Sequence, residues 1–128
     1  MDYKIPDNLM YTREHEWLAV KEDNTVVLGI TDYAQDQLED IVYLDLPEAG
    51  LEVSAGDAFG SVEAVKAVED IYTPVTGEII EVNATLEDKP ELCNQDPYGE
   101  GWLVKIKCSD MSEVDALLSA DDYKGLIE

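Results

Sequence analysis

The sequence contains few basic residues. Eight lysines and arginines stand against thirty aspartates and glutamates in 128 residues, which gives a formal net charge of −22. A chain with this charge repels the phosphates of nucleic acids and the anionic surface of a membrane. We therefore expect no nucleic-acid partner and no membrane partner, and we expect fast encounter with basic protein surfaces instead.

Long apolar runs are also missing. No stretch approaches the roughly 20 apolar residues that a membrane-spanning helix needs. The N-terminus lacks the basic start, apolar centre and small-residue site of a signal peptide. These absences predict a cytoplasmic protein. The initiating Met1 favours a bacterial cytoplasm, and the matrix of an organelle, reached after loss of a presequence, is the alternative.

Cysteine and histidine are too scarce to predict a metal site. Cys93 and Cys108 are the two cysteines, they form no CxxC motif, and His15 is the single histidine. Structural zinc sites need four such ligands at close spacing. We expect no metal, two reduced and buried thiols, and a His15 that packs against or caps its neighbours.

The apolar content predicts a folded chain despite the charge. Hydrophobic residues make up 45% of the sequence, and aromatic residues occur along its whole length, unlike in disordered acidic tails. A typical domain has about 100–150 residues. We therefore expect residues 1–128 to form a single domain.

Several segments have the composition of β-strands, rich in β-branched and aromatic residues and bounded by turn residues. Residues 22–24 predict the turn of a hairpin between segments 16–20 and 25–30. In segment 41–46, alternation predicts that Val42, Leu44 and Leu46 face one side and Asp45 the other. The segments are residues 16–20, 25–30, 41–46, 53–82 and 102–107.

Short helices are predicted around these strands. Thr31 is a typical N-cap residue, and it predicts a helix that ends at Leu38. Pro90 is typical of the first position of a helix, and it predicts a second helix that covers Leu92 and Cys93. The helices do not alternate regularly with the strands, so we predict an antiparallel sandwich rather than a parallel sheet. Two Ser-x-x-Asp signatures predict two C-terminal helices, one from Ser112 with Asp115 and one from Ser119 with Asp122.

One lysine is isolated in a long acidic stretch. Lys21 and Lys89 enclose 67 residues, of which 17 are aspartate or glutamate and only Lys66 is basic. Gly56 lies ten positions before Lys66, and Gly77 lies eleven positions after it. Two nearly equal arms between glycine turns predict an antiparallel hairpin with Lys66 at its tip.

The neighbours of Lys66 indicate which chemistry its amine supports. Ala64 and Ala67 are small, so they leave the lysine open to an approaching enzyme. A catalytic amine needs burial or a neighbouring cation that favours its neutral form, whereas nearby carboxylates favour the ammonium. We therefore interpret Lys66 as an acceptor of a covalent modification. The nearby carboxylates are those of Glu63, Glu69 and Asp70.

Motifs in a fixed order occur along nearly the whole chain. They lie in the lysine-bearing segment, residues 53–83, and in residues 11–17, 29–34, 45–47 and 96–102. In this order they resemble the glycine cleavage system H protein family of lipoyl carriers, and residues 53–83 resemble its lipoyl attachment region. The chain departs from the family pattern at Ala64, where the usual residue is a serine.

The resemblance implies a fold and a cofactor. The expected fold is mainly β with short helices, a lipoyl/biotinyl-carrier-like sandwich of two antiparallel sheets, also called a barrel-sandwich hybrid. Lys66 would carry lipoate through an amide bond. The chain would be a carrier subunit of a multienzyme system and not an enzyme, since it would supply tethering rather than an acid, a base or a nucleophile.

The resemblance also implies partners. A pyridoxal phosphate enzyme, glycine decarboxylase (P protein), would load an aminomethyl group derived from glycine. A tetrahydrofolate-dependent aminomethyltransferase (T protein) would remove it, and dihydrolipoyl dehydrogenase (L protein) would reoxidise the dithiol. Lipoyl-attaching enzymes would act earlier, and we expect the carrier to be a monomer.

In this family the loaded arm folds into a surface cleft, which limits loss of its cargo to water. By this resemblance we expect Glu16 and Asp70 to hold the ammonium of the cargo. Ile30 and Ala67 would contact the arm through apolar groups. A position of His15 at the mouth of the cleft is the alternative to simple packing.

Other functions remain as alternatives. The same lipoyl chemistry would serve a lipoyl donor to 2-oxoacid dehydrogenase complexes. Biotin carriers also present a lysine at a hairpin tip, but their lysine lies between methionines, whereas Lys66 lies between Val65 and Ala67. Two further alternatives are an enzyme that forms a Schiff base on Lys66 and an acidic interaction module without a cofactor.

Overall fold

The computed structural model describes residues 3–128, which form nine strands and five short helices. The strands are Met10–Tyr11 (β1), Glu16–Val20 (β2), Thr25–Ile30 (β3), Ile41–Asp45 (β4), Glu52–Val53 (β5), Ala58–Ala64 (β6), Val68–Tyr72 (β7), Gly77–Val82 (β8) and Val104–Cys108 (β9). The helices are Asp32–Leu38 (α1), Thr85–Asp88 (α2), Leu92–Gln95 (α3), Ser112–Asp115 (α4) and Ala120–Ile127 (α5).

The strands form two antiparallel sheets, as predicted. One sheet has six strands in the order β1-β2-β3-β9-β8-β5, and the other has three strands in the order β4-β6-β7. Within residues 3–128 neither sheet closes into a barrel. The main hydrophobic core lies between them, and it includes Leu28 and Ile106 from the large sheet and Val62 and Ile71 from the small one.

The first hairpin and the first helix have the predicted bounds. All five residues of β2 pair with β3, from Glu16 opposite Ile30 to Val20 opposite Val26. The Thr31 hydroxyl caps α1 by accepting a hydrogen bond from the amide of Ala34 at 3.1 Å. These elements are local in sequence, so composition and capping alone were sufficient to predict them.

Alternation in β4 was predicted wrongly. A β-bulge between Ile41 and Tyr43 shifts the register against β6, so Val42 is 47% exposed although Leu44 is buried. A bulge adds one unpaired residue, which reverses the faces on one side of it. Leu46 lies beyond the strand and is half-buried.

Two helix starts also differ from the prediction. The helix after Pro90 begins at Leu92 rather than at the proline. At α4 the capping contact comes from Asp110, whose carboxylate accepts from the amide of Ser112 at 3.0 Å. The second Ser-x-x-Asp signature is confirmed, because the Ser119 hydroxyl accepts from the amide of Asp122.

A smaller cluster covers the outer face of the large sheet. Trp17, Ala19 and Val27 project from β2 and β3 on the side opposite the main core, and Tyr123 of α5 packs with them. Leu9 also belongs to this cluster, together with half-buried Ile5. The C-terminal helix is thereby held against the first hairpin, which brings it close to the site described below.

A glycine in β6 allows the two neighbouring strands to approach. A Cβ atom at Gly60 would overlap the carbonyl oxygen of Asp45 in β4. We expect Gly60→Ala to lower the free energy of unfolding by about 1–3 kcal/mol, measured by urea denaturation, because a packed backbone must shift. Gly125→Ala is the control, since nothing lies within 4 Å of its Cβ and alanine stabilises a helix by about 0.5–1 kcal/mol. Equal stability of Gly60→Ala and the natural chain would contradict this account.

Candidate functional site at the tip of the β6–β7 hairpin

Lys66 lies at the tip of the hairpin formed by β6 and β7, as the sequence predicted. The turn is closed by a hydrogen bond from the amide of Ala64 to the carbonyl of Ala67 at 2.7 Å. The amide of Val65 donates to the carbonyl of Asp40 at 3.0 Å, which ties the tip to the segment after α1. The Lys66 side chain is 51% exposed. The amine is therefore accessible, while the backbone that carries it is fixed.

The far end of the hairpin also turns at a predicted glycine. Gly56 has a φ of +94°, which a residue without Cβ adopts at low cost. Its amide donates to the carbonyl of Thr73, and Asp57 accepts from the amide of Thr73 at 2.9 Å through its own carbonyl. Backbone contacts thus hold both ends of the hairpin that presents Lys66.

A cavity of about 540 Å³ opens beside Lys66. It lies between the end of the β2–β3 hairpin, helix α1 and strand β7. Most of its wall is apolar, contributed by Ala34, Leu38, Val62 and Ile71 among others. All of the residues that the resemblance singled out also line it, namely Glu16, Ile30, Lys66, Ala67 and Asp70.

The sheet register explains how these residues meet. Glu16 and Ile30 are directly opposite each other in the β2–β3 pair, so both lie at the same end of the large sheet. Asp70 is in β7, the edge strand of the small sheet, and is exposed. Ala67 belongs to the turn. The cavity is therefore formed where an end of one sheet meets an edge of the other.

Glu16 is the buried carboxyl group of this cavity, with only 3% of the residue exposed. Its Oε1 accepts from the Thr12 hydroxyl at 2.8 Å, and its Oε2 accepts from the Tyr72 amide of β7 at 2.9 Å. Burial raises the pKa of Glu16 to about 7, and these two hydrogen bonds oppose the rise only in part. A nearby cation would stabilise its carboxylate form.

His15 combines the two roles considered from the sequence. It lines the cavity, and its Nδ1 is 2.9 Å from the Tyr123 hydroxyl of α5. That hydroxyl also contacts the Thr31 hydroxyl at 2.7 Å. His15 has a φ of 70°, and partial burial lowers its pKa. The histidine is thus a packed side chain at the rim of the cavity.

Sequence reasoning missed three groups that hold this site. Thr12 and the Tyr72 amide position the carboxylate of Glu16, and Tyr123 positions His15. Tyr123 belongs to the apolar stripe of the last helix, so its burial could be predicted. Its partners could not, because they are distant in sequence and meet it only after the sheets pack.

The two cysteines are free and buried, as predicted. Burial raises the pKa of Cys93 to about 12, which keeps this thiol protonated. No group of three or more potential metal ligands occurs in the part of the chain that the structure describes. Among the helices of residues 3–128, none has the length and apolar character needed to cross a membrane.

Two antiparallel sheets with a lysine at an exposed hairpin tip define the class of carrier domains that includes lipoyl and biotinyl carriers. The particular family follows from comparison with known proteins. A model of the family described as "Glycine cleavage H-protein" matches residues 9–128. The chain belongs to this family, and it is a carrier subunit of the glycine cleavage system rather than a catalyst.

Individual relatives agree with the family match. The glycine cleavage system H protein of Thermus thermophilus is 55% identical over 124 residues, which cover 97% of this chain and 96% of the relative. The glycine cleavage system H protein of Coprothermobacter proteolyticus is 50% identical over 124 residues, which cover 97% of this chain and 98% of the relative. The crystal structure of a glycine cleavage system H protein from Mycobacterium marinum has a TM-score of 0.86 at 41% identity, covering 94% of this chain and 97% of that one. The predicted family and the two-sheet fold are thus confirmed.

Proposed function

We propose that Lys66 is the residue to which lipoate is attached, through an amide on Nζ, within one lipoyl-carrier domain formed by residues 1–128. The family to which the chain belongs is that of the lipoyl-bearing H protein. The observation that carries the assignment is the position of Lys66, at an exposed tip between two strands and at the rim of the cavity. The bound group would supply a dithiolane that opens to accept a one-carbon unit.

The cavity fits such a group chemically. A lipoyl arm has an apolar chain and a sulfur ring, and the wall beside Lys66 is mainly apolar. Ile30 is 4% exposed, and Ala67 is half-buried at the rim, so both offer apolar contact to an arm folded back from the tip. An arm in this cavity would be shielded from water, which is the condition for a long-lived labile cargo.

The carboxylates at the end of the cavity provide the charge for the cargo. An aminomethyl cargo carries an ammonium, and Glu16 and Asp70 both line the cavity. Two donors, the Thr12 hydroxyl and the Tyr72 amide, already hold the Glu16 carboxyl group in one orientation, so a cation meets a preformed partner. Because an adjacent ammonium favours the carboxylate, docking of the loaded arm would be coupled to release of the Glu16 proton.

The carrier works with the other components of the glycine cleavage system. We propose that glycine decarboxylase loads the aminomethyl group, that the aminomethyltransferase unloads it, and that dihydrolipoyl dehydrogenase restores the disulfide. Tethering supplies the physical advantage, because it presents the arm to each active site at high effective concentration. Service as a lipoyl donor to other complexes uses the same modified lysine, and transfer assays with those complexes would separate the two roles.

Mass spectrometry tests the proposal directly. The purified chain is incubated with a lipoate ligase or, separately, with a biotin ligase, and the adducts are located by peptide mapping. We expect one lipoyl group per chain, on Lys66, and no biotin. The remaining six lysines are internal controls. A biotin adduct would favour a biotin carrier, and absence of any adduct, or attachment at another lysine, would refute the assignment.

A further inference from the structure

Glu39 occupies a backbone conformation that favours glycine. It follows α1 as the C-cap residue, with φ 63° and ψ −136°. Side chains with a Cβ rarely adopt this region, because the Cβ crowds the backbone. A carboxylate at the C-terminal end of a helix is also disfavoured by the helix dipole. Two separate effects therefore oppose a glutamate at this position.

The surroundings of Glu39 hold it in that conformation. The Asn94 side chain of α3 donates through Nδ2 to the carbonyl of Glu39 at 2.6 Å and accepts through Oδ1 from the amide of Ile41 at 3.0 Å. The amide of Glu39 donates to Gln35 at 2.9 Å. Both backbone groups of Glu39 and the amide of Ile41 are thus engaged in hydrogen bonds. A fixed, unfavourable conformation of this kind indicates a role for the side chain.

The side chain of Glu39 reaches the lysine at the hairpin tip. Its Oε2 is 3.4 Å from Nζ of Lys66, and the two side chains are 67% and 51% exposed. An exposed pair adds little stability, so it does not offset the costs of the glutamate. The hydrogen bond from the amide of Val65 to the carbonyl of Asp40 keeps the hairpin tip next to Glu39. The contact with Glu39 therefore orients the lysine side chain and adds little to the stability of the fold.

We propose that Glu39 is a positioning residue that holds the Lys66 ammonium against the end of α1 in the unmodified chain, and that acylation releases it. This rests on Lys66 being the attachment residue. In the reaction, the ammonium first loses a proton to solvent, and the amine then attacks the carbonyl carbon of an activated lipoyl anhydride. The C–N bond forms, the bond to the leaving group breaks, and a second proton leaves. The product amide is neutral, so the ion pair with Glu39 no longer exists and the arm can move away.

Competitive acylation of the unmodified chain tests the pair without any ligase. The chain is treated with a limiting amount of an uncharged acylating ester at low ionic strength, and the acylation of each lysine is measured by mass spectrometry relative to Lys21. We expect Lys66 to react about two- to fivefold faster in Glu39→Gln than in the natural chain, the range that an exposed ion pair supports. The difference should vanish at about 1 M salt, where screening removes the pair.

Two variants separate positioning from strain. Glu39→Gly removes both the carboxylate and the unfavourable φ, so it should raise the unfolding temperature and increase Lys66 reactivity. Glu39→Gln removes the charge at the helix end but keeps the backbone cost, so it should increase reactivity and raise the unfolding temperature less than Glu39→Gly does. Glu87→Gln changes the charge by the same amount at an exposed position of α2 outside the cavity, so it should leave the reactivity of Lys66 nearly unchanged. Unchanged Lys66 reactivity in both Glu39 variants would overturn the proposal. Failure of lipoylation at Lys66 would refute the proposed function instead, and the acylation data distinguish the two.

Discussion

Lys66→Arg should abolish lipoylation and leave the fold intact. The guanidinium is protonated at every accessible pH and does not act as an acyl acceptor, although it keeps the charge and length of the lysine. The side chain is 51% exposed at a turn whose backbone hydrogen bonds do not involve it, so little stability depends on it. Mass spectrometry after ligase treatment should detect no adduct, and the urea midpoint should match that of the natural chain.

The same variant should also eliminate carrier function. In an assay reconstituted with the other components of the glycine cleavage system, we expect glycine-dependent turnover to fall at least 100-fold, to the background without carrier. Lys124→Arg is the matched control, because Lys124 is an exposed lysine of α5 and should keep full activity. Substantial turnover of a fully folded Lys66→Arg protein would show that another residue carries the arm.

Glu16→Gln should shorten the lifetime of the aminomethyl-loaded carrier by about 10- to 100-fold at pH 8. The carboxylate is 3% exposed and is oriented by Thr12 and the Tyr72 amide, and a charge-assisted hydrogen bond in such a place contributes about 1.5–3 kcal/mol. Glutamine keeps the shape but loses the charge. The measurement is the release of formaldehyde from loaded carrier over time. Glu14→Gln, an exposed neighbour that lines the same cavity, is the control and should change the lifetime less than twofold.

The effect of Glu16 should depend on pH in a defined direction. The pKa of Glu16 is about 7 in the empty cavity, so the group is mostly protonated below that value and holds an ammonium poorly. The ratio of lifetimes between the natural chain and Glu16→Gln should therefore be largest near pH 8 and approach one near pH 5. The variant corrects for the intrinsic pH dependence of the hydrolysis. A ratio of one at every pH would remove Glu16 from the mechanism.

The stability of Glu16→Gln at different pH values is an independent test of the pKa of Glu16. Burial raises the pKa of Glu16 from an ordinary value of 4.5 to about 7, so its contribution to stability is full below pH 4.5 and is lost as the pH rises through 7. Between pH 4 and pH 8, the free energy of unfolding of the natural chain should fall by about 3 kcal/mol more than that of Glu16→Gln. Urea unfolding at both pH values measures the difference, and a functional site that costs stability is the expected result.

The candidate site was predicted unevenly from the sequence. Lys66 was found because it is the single basic residue in a long acidic segment, and its hairpin followed from glycine spacing. Glu16 was assigned by resemblance alone, since one carboxyl group among thirty acidic residues carries no distinguishing signal. Its raised pKa depends on burial against β7, which no local pattern encodes. Glu39 was not predicted at all, because its conformation is imposed by Asn94, 55 positions away.

The sequence by itself determined the strands of the first hairpin, the capped helix α1, the displayed lysine and the family, because these depend on local composition or on motifs in a fixed order. Tertiary structure alone decided the bulge that exposes Val42, the cavity between the sheets and the partners of Glu16 and Glu39. The cavity and the partners of Glu16 arise where the end of one sheet meets the edge of the other. Desolvation and hydrogen bonding at such a junction depend on which distant segments pack together, and that is a property of the assembled fold.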